Sequence, residues 1–175
     1  KTLLLDRLQE LGDQASAEDW IMLGRYLLTL NNADEALAAF RRGQQYEDPK
    51  IRRATRHIAA YYFGERQFDK ALPHYAMLWR SDPDDQAIAL QYVESLLRVD
   101  NVEESARVLA EAKNRFPPSV NAMLLTAQIA QQQGDPSGVR AALDKAVELA
   151  PLRGAVDYER ARMELEAGAP TEGVI

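Results

Sequence analysis

The chain has 175 residues, 46% of them hydrophobic, no cysteine and a formal net charge of −6. The lack of cysteine excludes disulfides and thiolate chemistry. The negative balance argues against general nucleic-acid binding and against an anionic membrane surface, which need clustered Lys and Arg, and no apolar run approaches the roughly 20 residues required to cross a bilayer.

In chain order, Leu3, Leu4, Leu5, Leu8 and Leu11 make an apolar helical stripe without a partner of its own, so residues 1–15 read as the second helix of a preceding unit. Four units follow, over 17–50, 52–85, 86–119 and 120–153, closed by Pro49, Pro83, Pro117 and Pro151 at a constant spacing of 34. Each holds two stretches with apolar residues three and four apart, the helical period. The first carries Trp20, Leu23, Gly24 and Leu27, then Ala36 and Phe40; the second Ile58, Ala59 and Tyr62, then Ala71 and Tyr75. The third carries Ala89, Tyr92, Val93 and Leu96, then Ser105 and Leu109; the fourth Met123, Ala127 and Ala130, then Val139 and Leu143.

Between the paired stretches stand Asn31-Asn32, Gly64, Asp100-Asn101 and Gly134-Asp135, residues expected where a helix ends in left-handed backbone. Gly24, Ala36, Ala59 and Ala71 fit close helix approaches, and the adjacent Tyr61, Tyr62 and Phe63 cannot all be buried on one narrow stripe. Residues 154–175 repeat the same turn at Gly168-Ala169-Pro170-Thr171, so they read as the start of a fifth unit, and the chain as a segment of a longer array. A fixed period of helix pairs predicts an all-α stack in which each unit buries its apolar face against its neighbours.

These columns resemble the tetratricopeptide repeat family: Trp20-x-x-Leu23-Gly24, Leu27, Ala36 and Phe40 in the first unit, and Tyr62, Ala71, Tyr75 and Pro83 in the second. Departures include Leu27 for the usual tyrosine, Thr55 for tryptophan, and Ser105 and Val139 for alanine. The resemblance implies a right-handed superhelix of stacked antiparallel helix pairs, one array over 1–175, acting as a protein-interaction scaffold. First helices line the concave face in this family.

The partner-binding residues so implied are Glu18, Ile21, Arg25 and Leu28 in the first unit and Arg53, Arg56 and Phe63 in the second. The third and fourth units give Leu90, Glu94, Leu97, Arg98, Leu124, Gln128 and Gln131. The arginines suit bidentate bonds to carboxylates and the apolar residues suit an extended or helical acidic peptide. An equally weighted reading has them pair with Glu18, Glu94 and Glu65. The clamp of lysines and asparagines that grips chaperone tails is missing, since Ile21, Arg25 and Arg56 stand there.

No catalytic, cofactor or metal residues are expected: His57 and His74 lie 17 apart with no carboxylate cluster, and no nucleophile is paired with a base. The residue style is similar to the periplasmic arrays of bacterial exopolysaccharide-export proteins. That similarity implies a periplasmic scaffold for polysaccharide-modifying enzymes, with direct binding of the polymer as the alternative and a cytoplasmic location left open. Oligomeric state is undetermined.

Overall fold

The computed structural model describes residues 14–150, which fall into two compact units, residues 14–83 and 84–150. Among the described residues there are eight α-helices and no strand. The expected helix over 1–15 and the expected fifth unit over 154–175 lie outside them, apart from residues 14 and 15.

The first unit contains α1 (Ala17–Thr29), α2 (Ala33–Tyr46), α3 (Arg53–Gly64) and α4 (Phe68–Ser81). α1 packs on α2, α3 on α4, and both α1 and α2 on α3. The apolar columns supply the core: Leu27, Ala36, Phe40, Ile58, Ala59, Ala71 and Tyr75 are all buried. At Gly24 α1 and α2 approach closely, since a Cβ on it would lie 2.5 Å from the Phe40 ring. Trp79, which the repeat columns do not single out, is buried as well. Of the three adjacent aromatics only Tyr62 is fully buried, with Tyr61 and Phe63 half-exposed, as the 100° step between neighbouring residues requires.

The second unit contains α5 (Gln86–Arg98), α6 (Val102–Arg115), α7 (Val120–Gln132) and α8 (Pro136–Leu149). It repeats the arrangement, α5 packing on α6, α7 on α8, and both α5 and α6 on α7. Ala127, Ala130, Val139, Ala142 and Leu143 form one apolar cluster, and Leu124 packs against it.

Five of the eight helix starts are capped by short polar side chains, whereas the N-cap residues of α2 and α4, Asn32 and Gln67, make no side-chain cap. Ser16 and Asp19 form a reciprocal capping box on α1, while Asp85, Asn101, Ser119 and Asp135 each accept from a first-turn N–H of the helix that follows. Asp135 also accepts from the Ser137 hydroxyl, and these bonds hold its carboxyl below the ordinary value. α3 is capped differently. Its own N-cap, Arg52, is left-handed and makes no side-chain cap, so Glu47 from the end of α2 accepts from the N–H of Ala54 at 2.8 Å and of Thr55 at 3.1 Å. Glu47 further accepts from the Thr55 hydroxyl, which in turn accepts from Gln44.

The four turns inside the helix pairs share one geometry. In each, a residue with positive φ is followed by an N–H that donates to the carbonyl five residues earlier: Asn32 to Leu27, Gln67 to Tyr62, Asn101 to Leu96 and Asp135 to Ala130. The left-handed residues are Asn31, Arg66, Asp100 and Gly134, so three turns use the residue types expected there. The turn assigned to Gly64 is a correction: α3 runs through Gly64, which has ordinary helical backbone, and the left-handed residue is Arg66, φ 57°. A glycine inside a helix with nothing within 4 Å of its missing Cβ only raises the entropy of the unfolded chain. Gly64→Ala is therefore expected to raise the unfolding free energy by about 0.5–1 kcal/mol, as is Arg66→Gly by roughly half that. Urea titration followed by circular dichroism measures both; a loss on Gly64→Ala would mean the turn was placed wrongly.

Candidate interaction surface

The two first helices of the first unit, α1 and α3, pack against each other. On α3, Arg53, Arg56, His57, Ala60 and Phe63 fall within about 120° of the helix circumference, and on α1 Glu18, Arg25, Leu28 and Thr29 do likewise. The two faces meet in one ion pair, Arg53 Nη1 to Glu18 Oε2 at 2.7 Å, both side chains about half-exposed. Arg25 is exposed and makes no ion pair among the described residues, and Arg56 is half-exposed. Leu28 and Phe63 are half-buried at the edge of this face, the Phe63 ring set edge-on to Phe68 at 5.5 Å and Tyr75 at 5.9 Å.

His57 belongs to the same face and was not among the expected contact residues. Its ring is stacked on Phe40 at 4.9 Å, nearly parallel, and is half-buried. Burial holds its pKa below the ordinary 6.5, and the positive charges of Arg25 and Arg53 push it further down. The sequence signal was available, four residues after Arg53 on a helix. What hid it was that the stacking partner lies on another helix.

In the second unit, Leu90, Glu94, Gln128 and Gln131 are half-exposed and Arg98 is exposed, paired with Glu94 at 3.4 Å. Leu124 is partly buried against the α7–α8 core. This face is amide-rich, as expected, and offers one arginine where the first unit offers three.

Two expected contact residues are corrected. Ile21 is 2% exposed and Leu97 is 4% exposed, so neither has surface to offer a partner. The reason is that a first helix packs on two neighbours, its own second helix and the next first helix: α1 on α2 and α3, and α5 on α6 and α7. The buried positions of α1 (Ile21, Leu23, Gly24, Leu27) accordingly cover about 160° of its circumference, and those of α5 about 200°. The ion pairing expected for the arginines is present at Glu18 and Glu94; Glu65 makes none among the described residues.

His74 is the second half-buried imidazole, stacked with Tyr62 at 6.2 Å. Burial and then the charge of Arg41 lower its pKa. A base whose folded pKa lies below its unfolded value is protonated first in the unfolded chain, so the stability that depends on two neutral rings is present above pH 6.5 and is lost as the pH falls through that value. The melting temperature is expected to drop between about pH 7.5 and about pH 5.5, and His57→Phe with His74→Phe, which keep the stacking, to flatten part of that drop. An identical slope in the double variant would exclude the histidines as its source.

No group of three or more metal-ligating side chains occurs among the described residues, and no described helix is long and apolar enough to cross a membrane.

Models of the tetratricopeptide repeat match residues 62–129, and 21–86 together with 124–174. The chain belongs to the tetratricopeptide repeat family, whose members generally act as protein–protein interaction scaffolds. No curated protein matches it. Among solved structures it is similar to a tetratricopeptide repeat protein from Parabacteroides merdae ATCC 43184, with 15% identity, a TM-score of 0.81, and coverage of 94% of this chain and 64% of that one. The chain thus spans just under two thirds of that relative. It is also similar to MamA from Desulfovibrio magneticus RS-1 (16% identity, TM-score 0.74, 87% and 85% coverage) and to PilW, a type IV pilus biogenesis factor (22%, 0.69, 87% and 70%). At such identities the likeness concerns the fold alone.

Proposed function

We propose that the inner face of the first unit, formed by α1 and α3, binds an acidic segment of a partner protein. The observation that carries this is the convergence of Arg25, Arg53 and Arg56 on one face, in a chain whose net charge is −6. A local positive field on an otherwise negative molecule selects for carboxylates and speeds their approach. The existing Arg53–Glu18 pair does not oppose this, because an exposed ion pair contributes at most about 1 kcal/mol and an incoming carboxylate exchanges for it readily. Leu28 and Phe63 supply apolar contact beside the charges.

The finer reading is that the partner is an enzyme of exopolysaccharide modification held near an export pore in the bacterial periplasm; the style of the repeats supports it. Changing Arg25, Arg53 and Arg56 together to Glu is expected to cut capture of the partner from a periplasmic extract by at least about 100-fold, as two or more charge-assisted contacts would. Undiminished capture removes this face from the account. Titration with oligosaccharide is expected to leave the same face unperturbed; saturable binding there would favour the polymer instead.

A further inference from the structure

The second unit holds an apolar recess of about 250 Å³ at the junction of α6 and α7. Its walls are Leu90 of α5, Leu109 and Phe116 at the end of α6, Pro117 and Met123, and Lys113 and Lys145 line it too. The corresponding junction in the first unit is built otherwise: there Glu47 follows α2 and caps α3. Here Phe116 takes the C-cap position of α6, two prolines follow, and Ser119 does the capping. Pro117 and Pro118 fix the lip of the recess, since neither can rotate φ or donate an N–H to a rearranged loop. The lip of the recess is thus particular to this junction, and its rigidity lowers the entropy cost of filling the recess.

The two lysines differ. Lys145 donates to Glu148 at 2.7 Å, whereas Lys113 has no ion pair among the described residues. Although much of the Lys113 side chain is exposed, partial burial of its ammonium group holds its pKa below the ordinary lysine value, so a nearby anion would relieve an existing cost. The volume is below the roughly 300–1,000 Å³ of small-molecule sites and suits one side chain.

We infer that this recess accepts a single aliphatic side chain from an extended segment of a partner protein, with an adjacent carboxylate of that segment pairing with Lys113. This goes beyond the α1–α3 reading and, Leu90 apart, uses residues not expected to bind. It also stands on the second unit alone, so charge reversal of Arg25, Arg53 and Arg56 leaves it untouched.

The chain has four methionines, and the Met123 methyl group reports on the recess directly. The probe is a blocked hexapeptide, acetyl-Ser-Gly-Leu-Glu-Gly-Ser-amide, titrated into the full chain labelled with ¹³C at the methionine methyls. A saturable shift of Met123 is expected with Kd near 1 mM, weakened at least about tenfold when the peptide's Leu becomes Ser or its Glu becomes Lys. Lys113→Glu, an exposed change that leaves the core intact, is expected to weaken the Leu-Glu peptide by about tenfold and to bind the Leu-Lys peptide better than the unaltered chain does. An unmoved Met123, or equal shifts with all peptides and both proteins, would overturn the inference.

Discussion

Phe40→Ala is expected to lower the unfolding free energy by about 3–5 kcal/mol, the usual cost of emptying a fully buried aromatic site. Phe40 is 0% exposed, touches Gly24 across α1 and α2, and carries the stacked ring of His57. The more telling measurement is its coupling to Gly24. Gly24→Ala alone sets a Cβ at 2.5–2.8 Å from three Phe40 ring carbons, and the ring, fully buried and stacked on His57, can retreat only by displacing its neighbours. Overpacking of this kind costs about 1–3 kcal/mol, more than the ~1 kcal/mol that Gly→Ala gains within a helix. In the Phe40→Ala background the clash is gone, so the same Gly24→Ala should become neutral or stabilising by up to about 1 kcal/mol. A change of sign between the two backgrounds, read by urea titration, is the expected result; additive losses would refute the contact.

The second large effect is expected at Glu47. Its carboxylate satisfies two backbone N–H groups of α3 and the hydroxyl of Thr55, a side chain that is itself 0% exposed. Removing it leaves the proton of the buried Thr55 hydroxyl without its acceptor, although Gln44 still donates to the oxygen, and uncaps a helix whose N-cap residue offers no substitute. Glu47→Ala should cost about 2–3 kcal/mol, and Glu47→Gln about 1 kcal/mol, since the amide oxygen can still accept but no longer carries charge toward the helix N-terminus. Thr55→Val together with Glu47→Ala should recover part of the loss, because the hydroxyl proton left without an acceptor is then absent. If Glu47→Ala unfolds with the same midpoint as the parent chain, the cap contributes nothing.

These two sites also mark where the sequence was and was not legible. Gly24, Ala36 and Phe40 could be read as a close approach because the 34-residue period repeats the same small and large columns, and three of the four left-handed turn residues followed from their type. Arg66 did not follow, because Gly64 two residues earlier is the more usual occupant of such a turn, and only the hydrogen bond from Gln67 to Tyr62 locates the helix end. Glu47 as a cap was invisible for a related reason. Helix capping is normally sought within three residues of the helix start, and this carboxylate reaches its donors from the end of another helix.

The exposure of the first helices was legible in part. Subtraction of one apolar stripe per helix leaves Arg25, Arg53, Arg56 and Leu28 outside the core, and they are exposed or half-buried. The subtraction failed for Ile21 and Leu97 because first helices bury two sides rather than one. It also could not find His57, whose neighbour Phe40 is 17 residues away on α2.

Site-specific photo-crosslinking tests the central claim most directly. A benzophenone side chain placed at Ala60, exposed on the inner face of α3, is expected to capture the partner, whereas the same group at Arg80, exposed on α4, is expected to capture none. Capture from position 80 with none from position 60 would contradict binding at the α1–α3 face.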